Sequence, residues 1–275
     1  MYTLIISIIL GCTTSTIYYF INKQSEYVSS LYVYCIIAVI ATIIFQLIIG
    51  FIIRKKTSKM SDKIQSIISD GQDNLNRKIQ QLQQKPIGNQ KTMQKIIEND
   101  RDDIIRNALS CTKQFDWLCK WSFLLKKQLN TIRMQFHYCL REFNKVDELL
   151  SSCMYMDANT VAMYMARKYI HNNNLECEKA FKKGIRKFKK NDGIIIYATY
   201  SWILIKQNKR KEAISVLTKG KTNTSDSTIM SNWEYLINGG VNRFSNNGIG
   251  DQWYSLYLEE PKIAKPTQKY KFMKK

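Results

Sequence analysis

The sequence predicts an all-α protein: two transmembrane helices, a helical stalk, and an α-solenoid of helical hairpins. Three observations predict it. Two long apolar runs fall within residues 1–53, amphipathic helical spacing fills the middle, and the carboxy-terminal half repeats itself about every 34 residues. Composition agrees. Of 275 residues 45% are apolar, enough for a folded core, and three prolines with eleven glycines argue against collagen-like, proline-rich or many-turned β chains. The chain divides as a two-helix hairpin (1–53), a stalk (54–90), a long amphipathic stretch (91–127), hairpin repeats with a cap (128–260) and a basic tail (261–275).

Residues 4–21 and 31–53 are each near the ~20 apolar residues that a helix needs to cross a bilayer. The first run has no basic leader and no A-x-A site, so it reads as a span rather than a signal peptide. Thr3, Ser7, Gly11 and Ser15 recur every four residues, a stripe of small side chains that lets a second helix approach closely; Ala38 and Thr42 are its expected partners. Gln46 is placed to hydrogen-bond across this hairpin, with a dimer contact as the alternative. Lys23 and Glu26 are the only charges up to residue 53, whereas Arg54, Lys55, Lys56, Lys59 and Lys63 follow at once. The positive-inside bias puts both termini in the cytoplasm, and a bacterial inner membrane is the expected setting. The whole net charge of +20 then belongs to residues 54–275. Seven cysteines, an odd number without C-x-x-C, fit a reducing compartment and buried thiols.

Residues 57–85 read as helix, with Ile64, Ile68, Leu75, Ile79 and Leu82 in one narrow stripe. A stalk or short coiled coil is expected, broken at Pro86 and Gly88. A second helical stretch runs from about residue 91 to 127. Its latter half holds Phe115, Trp117, Leu118, Trp121, Phe123, Leu124 and Leu125. Lys113, Asp116, Lys120, Lys126 and Lys127 exclude a third span there; the reading is the core of a helical domain, with a membrane-surface helix as the alternative.

Three segments then align, at residues 145–150, 179–184 and 212–217. Val146, Ala180 and Ala213 are 34 and 33 residues apart, each after a polar turn: Phe143-Asn144, Asn172-Asn173-Asn174 and Gln207-Asn208. Asp157, Asp192 and Asp226 close the units. A small residue early in the second helix lets paired helices cross closely, and each pair leaves an apolar face for its neighbour. These residues resemble the tetratricopeptide repeat: Asn208, Ala213 and Leu217 match its turn, its small position and its second-helix core. The resemblance spans residues 129–221. It departs from the family where Asn replaces the turn glycine, where Val146 replaces alanine, and where the closing proline is absent. It implies protein–protein scaffolding, with a partner's peptide or helix on the concave face. After the repeats, residues 228–236 predict one more helix, ended by Asn238-Gly239-Gly240, and Trp253, Leu256 and Tyr257 a capping helix over the last open face.

No enzyme, cofactor or metal site is expected. His137 and Cys139 point apart on a helix, His171 stands alone in a turn, and no Walker, G-x-S-x-G or H-E-x-x-H pattern occurs. Asp100, Asp102 and Asp103 read as a solvated helix face. The partner-binding candidates are Arg167, Lys168, Lys206, Lys209 and Arg210, which are charged and near turns. Lys179, Lys182, Lys183, Arg186, Lys187, Lys189 and Lys190 crowd one helix. They read as a solvated face or, alternatively, as a surface for nucleic acid or anionic lipid.

Overall fold

A computed structural model describes residues 2–22, 31–84 and 90–261. Among them the secondary structure is helical throughout, without a strand. The helices are α1 (Tyr2–Asn22), α2 (Leu31–Gln84), α3 (Gln90–Lys113), α4 (Asp116–Cys119), α5 (Phe123–Cys139) and α6 (Phe143–Leu150) in a first unit. A second unit, which begins after Met154, holds α7 (Ala158–Ile170), α8 (Asn174–Lys187), α9 (Ile194–Lys206), α10 (Arg210–Asn223), α11 (Ser227–Ile237) and α12 (Asp251–Tyr254). Lys23, Glu26, Pro86, Gly88 and residues 262–275 of the tail lie outside the described residues.

In the first unit α1 and the start of α2 pair along the small-residue stripe. Ser7 is fully buried and donates to Gln46 Oε1 at 2.9 Å, so Gln46 bonds across the hairpin. Ser15 donates to the Tyr34 carbonyl at 2.9 Å. At Gly11 a Cβ would lie 2.8 Å from the Ala38 carbonyl oxygen, and only glycine permits that approach. The outward faces are bare: Leu47 is 68% exposed and Phe51 69%. Both helices are long and apolar enough to cross a membrane.

The structure departs from the expected stalk. α2 runs unbroken across residue 54, and its apolar stripe packs on α3 of the same chain. Met60, Ile64, Ala108, Cys111 and Leu129 make one core from α2, α3 and α5. Gly71 lies against Ile104, and Lys78 pairs with Asp100 at 2.5 Å. The stretch at 91–127 is also not one helix. It breaks after Lys113, passes through the single turn of α4, and resumes as α5 at Phe123 behind the extended Ser122. Folding back buries Leu118 and Leu129, which a continuous rod would carry away from that core. Arg133 fixes the bend by donating to the Thr112 carbonyl at 3.0 Å and pairing with Asp116 at 2.5 Å. Glu142, at the start of α6, collects Arg106 at 3.1 Å, His137 at 2.7 Å and Lys145 at 2.9 Å. These partners, Lys145 foremost, hold its carboxyl down at about 2.

Four helices, α5, α7, α9 and α11, end in the same turn. Arg141, Asn172, Asn208 and Gly239 all have left-handed φ, between 55° and 84°. Each is followed by an amide that donates to the carbonyl five residues back: Glu142 to His137, Asn173 to Lys168, Lys209 to Leu204 and Gly240 to Tyr235, at 2.7–2.9 Å. This is the Schellman closure of a helix C-terminus, for which Asn and Gly pay the least steric strain. The first turn is therefore at Arg141-Glu142, not at Phe143-Asn144.

The turns also correct the repeat register. Five residues past each left-handed residue stand Val146, Cys177 and Ala213, all inaccessible; nine past stand Leu150, Phe181 and Leu217, all buried. The equivalent positions are thus 31 and 36 residues apart, and pairing Val146 with Ala180 is one helical turn out. The unequal spacing arises because α8 has fourteen residues where α6 has eight, while the link before α9 is one residue shorter than the link before α7. Asp157 and Asp226 do cap α7 and α11, accepting from Thr160 and Ile229 amides at 2.6 and 2.9 Å. Asp192 lies in a 3-10 turn, Lys190–Gly193, instead.

Candidate functional site

In the second unit the starts of α8 and α10 diverge over α9 and leave a cleft of about 180 Å³. Tyr200, Ile203 and Leu204 of α9 form its apolar floor with Cys177 of α8; Glu178, Lys209 and Glu212 stand on its rim. Gln207 donates to Asn174 Oδ1 at 2.6 Å and ties the two hairpin turns together at one end. Leu175 lies exposed at the edge.

The electrostatics follow from burial and neighbours. Burial pushes the Tyr200 phenol up to about 12, with Glu178 and Glu212 adding to the shift, so it remains a hydrogen-bond donor at neutral pH. Burial likewise lifts the Cys177 thiol to about 11. A protonated thiol there is a poor nucleophile. The hydrogen bond from Lys182 holds the Glu178 carboxyl below its usual range. The cleft therefore offers an uncharged phenol, two carboxylates, the Lys209 ammonium and an apolar floor, an arrangement suited to holding a side chain or an extended backbone. Among the described residues no three His, Cys, Asp or Glu side chains gather as a metal site requires.

The five cations singled out by sequence do not converge. Arg167 is only 6% exposed in the last turn of α7, its guanidinium 3.5 Å from His171 Nε2. Lys168 lies 5.3 Å over the Tyr164 ring, and Lys206 5.1 Å over Trp202. Arg210 donates through Nε, at 3.0 Å, and through Nη2 to the Leu236 carbonyl, satisfying the end of α11. Lys209 lines the cleft, 3.8 Å from Glu212, and shares a shallow depression with Arg210 and Lys211. Sequence reasoning missed Tyr200, Glu178 and Glu212. Tyr200 is hidden in an apolar run, and the signal for the acids was their presence within Lys-rich helices.

A second feature bears on any partner. Phe181 of α8 stacks on Tyr200 at 4.3 Å and meets Tyr197 edge-on, covering one side of α9. Ala198 and Trp202 point to the other side, and there the chain covers itself. Trp253 meets Trp202 at 5.8 Å, Glu259 accepts from both indole N–H groups at 2.7 and 3.0 Å, and Asn246 donates to the Ala198 carbonyl at 3.0 Å. Trp253 and Leu256 are fully buried, and Tyr257, partly buried, has a left-handed φ of 52°. This side of α9 is thus covered by the protein's own residues 245–259. Comparison of the chain with protein-family models, curated proteins and solved structures found no match.

Proposed function

We propose that this protein is a membrane-anchored adaptor. Its first two helices cross the bilayer with both termini cytoplasmic, and its hairpins form a short tetratricopeptide-like solenoid that holds an extended segment of a protein partner. The observation that carries the solenoid reading is the Schellman turn repeated at Asn172, Asn208 and Gly239 within the second unit, with buried residues five and nine past the first two. The bare apolar faces of α1 and α2, followed at once by Arg54, Lys55, Lys56 and Lys59, support the anchor. Because residues 245–259 fill one side of α9, the partner is assigned to the cleft beside Leu175, Glu178, Tyr200 and Lys209.

A photo-crosslinker at Leu175 in native membranes tests this, with one at the exposed Glu234 as the control. The expected result is a single protein adduct from Leu175 alone, retained after nuclease and at moderate salt and lost on Glu178→Lys. Equal adducts from both positions would refute it. The second reading, a polyanion surface, rests on the exposed Lys182, Lys183, Arg186 and Lys187 of α8. It predicts instead an adduct that disappears with nuclease or as salt rises.

A further inference from the structure

The break in the first unit, between α3 and α5, sits at a particular depth. α1 and α2 run antiparallel with Ser7 opposite Gln46, so Thr3 is level with about Gly50, only ~6 Å of helix rise before Arg54. At that level Thr3 Oγ1 donates to the Trp121 carbonyl at 3.1 Å, the Tyr2 amide approaches the Lys120 carbonyl at 3.5 Å, and the Tyr2 and Trp121 rings meet edge-on at 6.3 Å. Residues 113–127 are therefore pinned beside the point where α2 changes from apolar to basic. There they leave large apolar side chains bare: Trp117 is 47% exposed, Phe123 56% and Leu124 55%. Lys113, Lys120 and Lys126 of the same segment are exposed as well, and Lys127 stands 4.6 Å over the Phe123 ring. The one acid of this segment, Asp116, is paired with Arg133.

We propose that this break is an interfacial anchor for the anionic cytoplasmic leaflet. Trp117, Phe123 and Leu124 enter the boundary between headgroups and acyl chains, and Lys113, Lys120 and Lys126 meet lipid phosphates. Aromatic rings prefer that boundary, and basic residues beside it gain from the negative surface potential. Two features of the structure select lipid as the occupant. The segment is held directly against the end of α1 at Tyr2 and Thr3, where Tyr2 and Leu4 are bare, and its charge is complementary to an anionic leaflet. The inference rests on the anchor reading above.

The test uses the full chain reconstituted into vesicles with acyl-brominated lipid, either pure phosphatidylcholine or with about 30 mol% phosphatidylglycerol. Emission from Trp117 is the difference between the parent and Trp117→Phe. That difference is expected to be quenched, more strongly in the anionic vesicles, and Lys113→Glu with Lys126→Glu is expected to abolish the lipid preference. If Trp117 is unquenched while the protein resists alkaline extraction, the interfacial anchor is wrong and the two-span anchor stands. Quenching that is equal in both lipids overturns the anionic part. Release of the protein by alkali overturns the anchor and this inference together.

Discussion

The apolar half of α2 and the whole of α9 have nearly the same composition and opposite surroundings. α9 has thirteen residues, ten of them buried, because α7, α8, α10, α11 and the 245–259 segment close around it. The apolar part of α2 carries Leu47, Ile48, Phe51 and Ile52 at half exposure or more, since α1 covers only one stripe. A helix that is apolar all round must be covered on every side, by protein or by lipid. At thirteen residues α9 is too short to cross ~30 Å of hydrocarbon, and its cover is supplied in cis; α2 is long enough, and among the described residues its Leu47, Ile48, Phe51 and Ile52 stay bare.

Changes to that cover should have unequal effects. Trp253→Ala removes the largest side chain over α9 and should destabilise the second unit by about 3–5 kcal/mol in denaturant unfolding of the purified chain. Phe51→Ala should leave that transition unmoved; equal effects would erase the distinction between the two helices. Gly184 comes next. A Cβ there would stand 2.8 Å from Val161 Cγ1, so Gly184→Val should cost about 1–3 kcal/mol and lower the melting temperature. Asp157→Ala and Asp226→Ala each remove a helix cap and should cost about 1 kcal/mol, roughly additively.

In the first unit the stability held by Glu142 has a defined pH window. Its folded pKa lies below the unfolded value of 4.5, so this stability is complete above 4.5 and is lost as pH falls from there toward about 2. Glu142→Gln should flatten that part of the stability–pH profile. The smallest effect belongs to the turns. Asn208→Gly should change stability by only a few tenths of a kcal/mol, whereas Asn208→Val, with a branched side chain at a φ of 59°, should cost about 1–2 kcal/mol.

Much of this architecture was legible in the sequence because it rests on period and composition. The all-helical class, the apolar pair, the small-residue stripe from Thr3 to Ser15 and the Gln46 bond all follow from spacing along single helices. The register of the repeat was not legible. Ala180 is as small as Ala213 and lies one turn from its equivalent, Cys177, and only backbone dihedrals at Asn172 and Asn208 separate the two alignments. The fold-back at residues 114–122 was hidden for a related reason: helical spacing persists through it, and the decision to bend belongs to tertiary burial and to Arg133. At the candidate site sequence supplied Lys209 but not the cleft. Arg167 and Arg210 look like free cations until the groups they face, His171 and the end of α11, are brought beside them.

The most direct test of the account is the placement of residues 1–53. Intact cells or sealed vesicles carrying Ser25→Cys would be treated with a membrane-impermeant maleimide, beside the parent and a Ser255→Cys variant, followed by alkaline extraction. The account predicts that the protein stays with the membrane, that Ser25→Cys alone gains label from outside, and that Ser255→Cys gains it only after lysis. Release by alkali, or outside labelling of Ser255→Cys in sealed membranes, would contradict it.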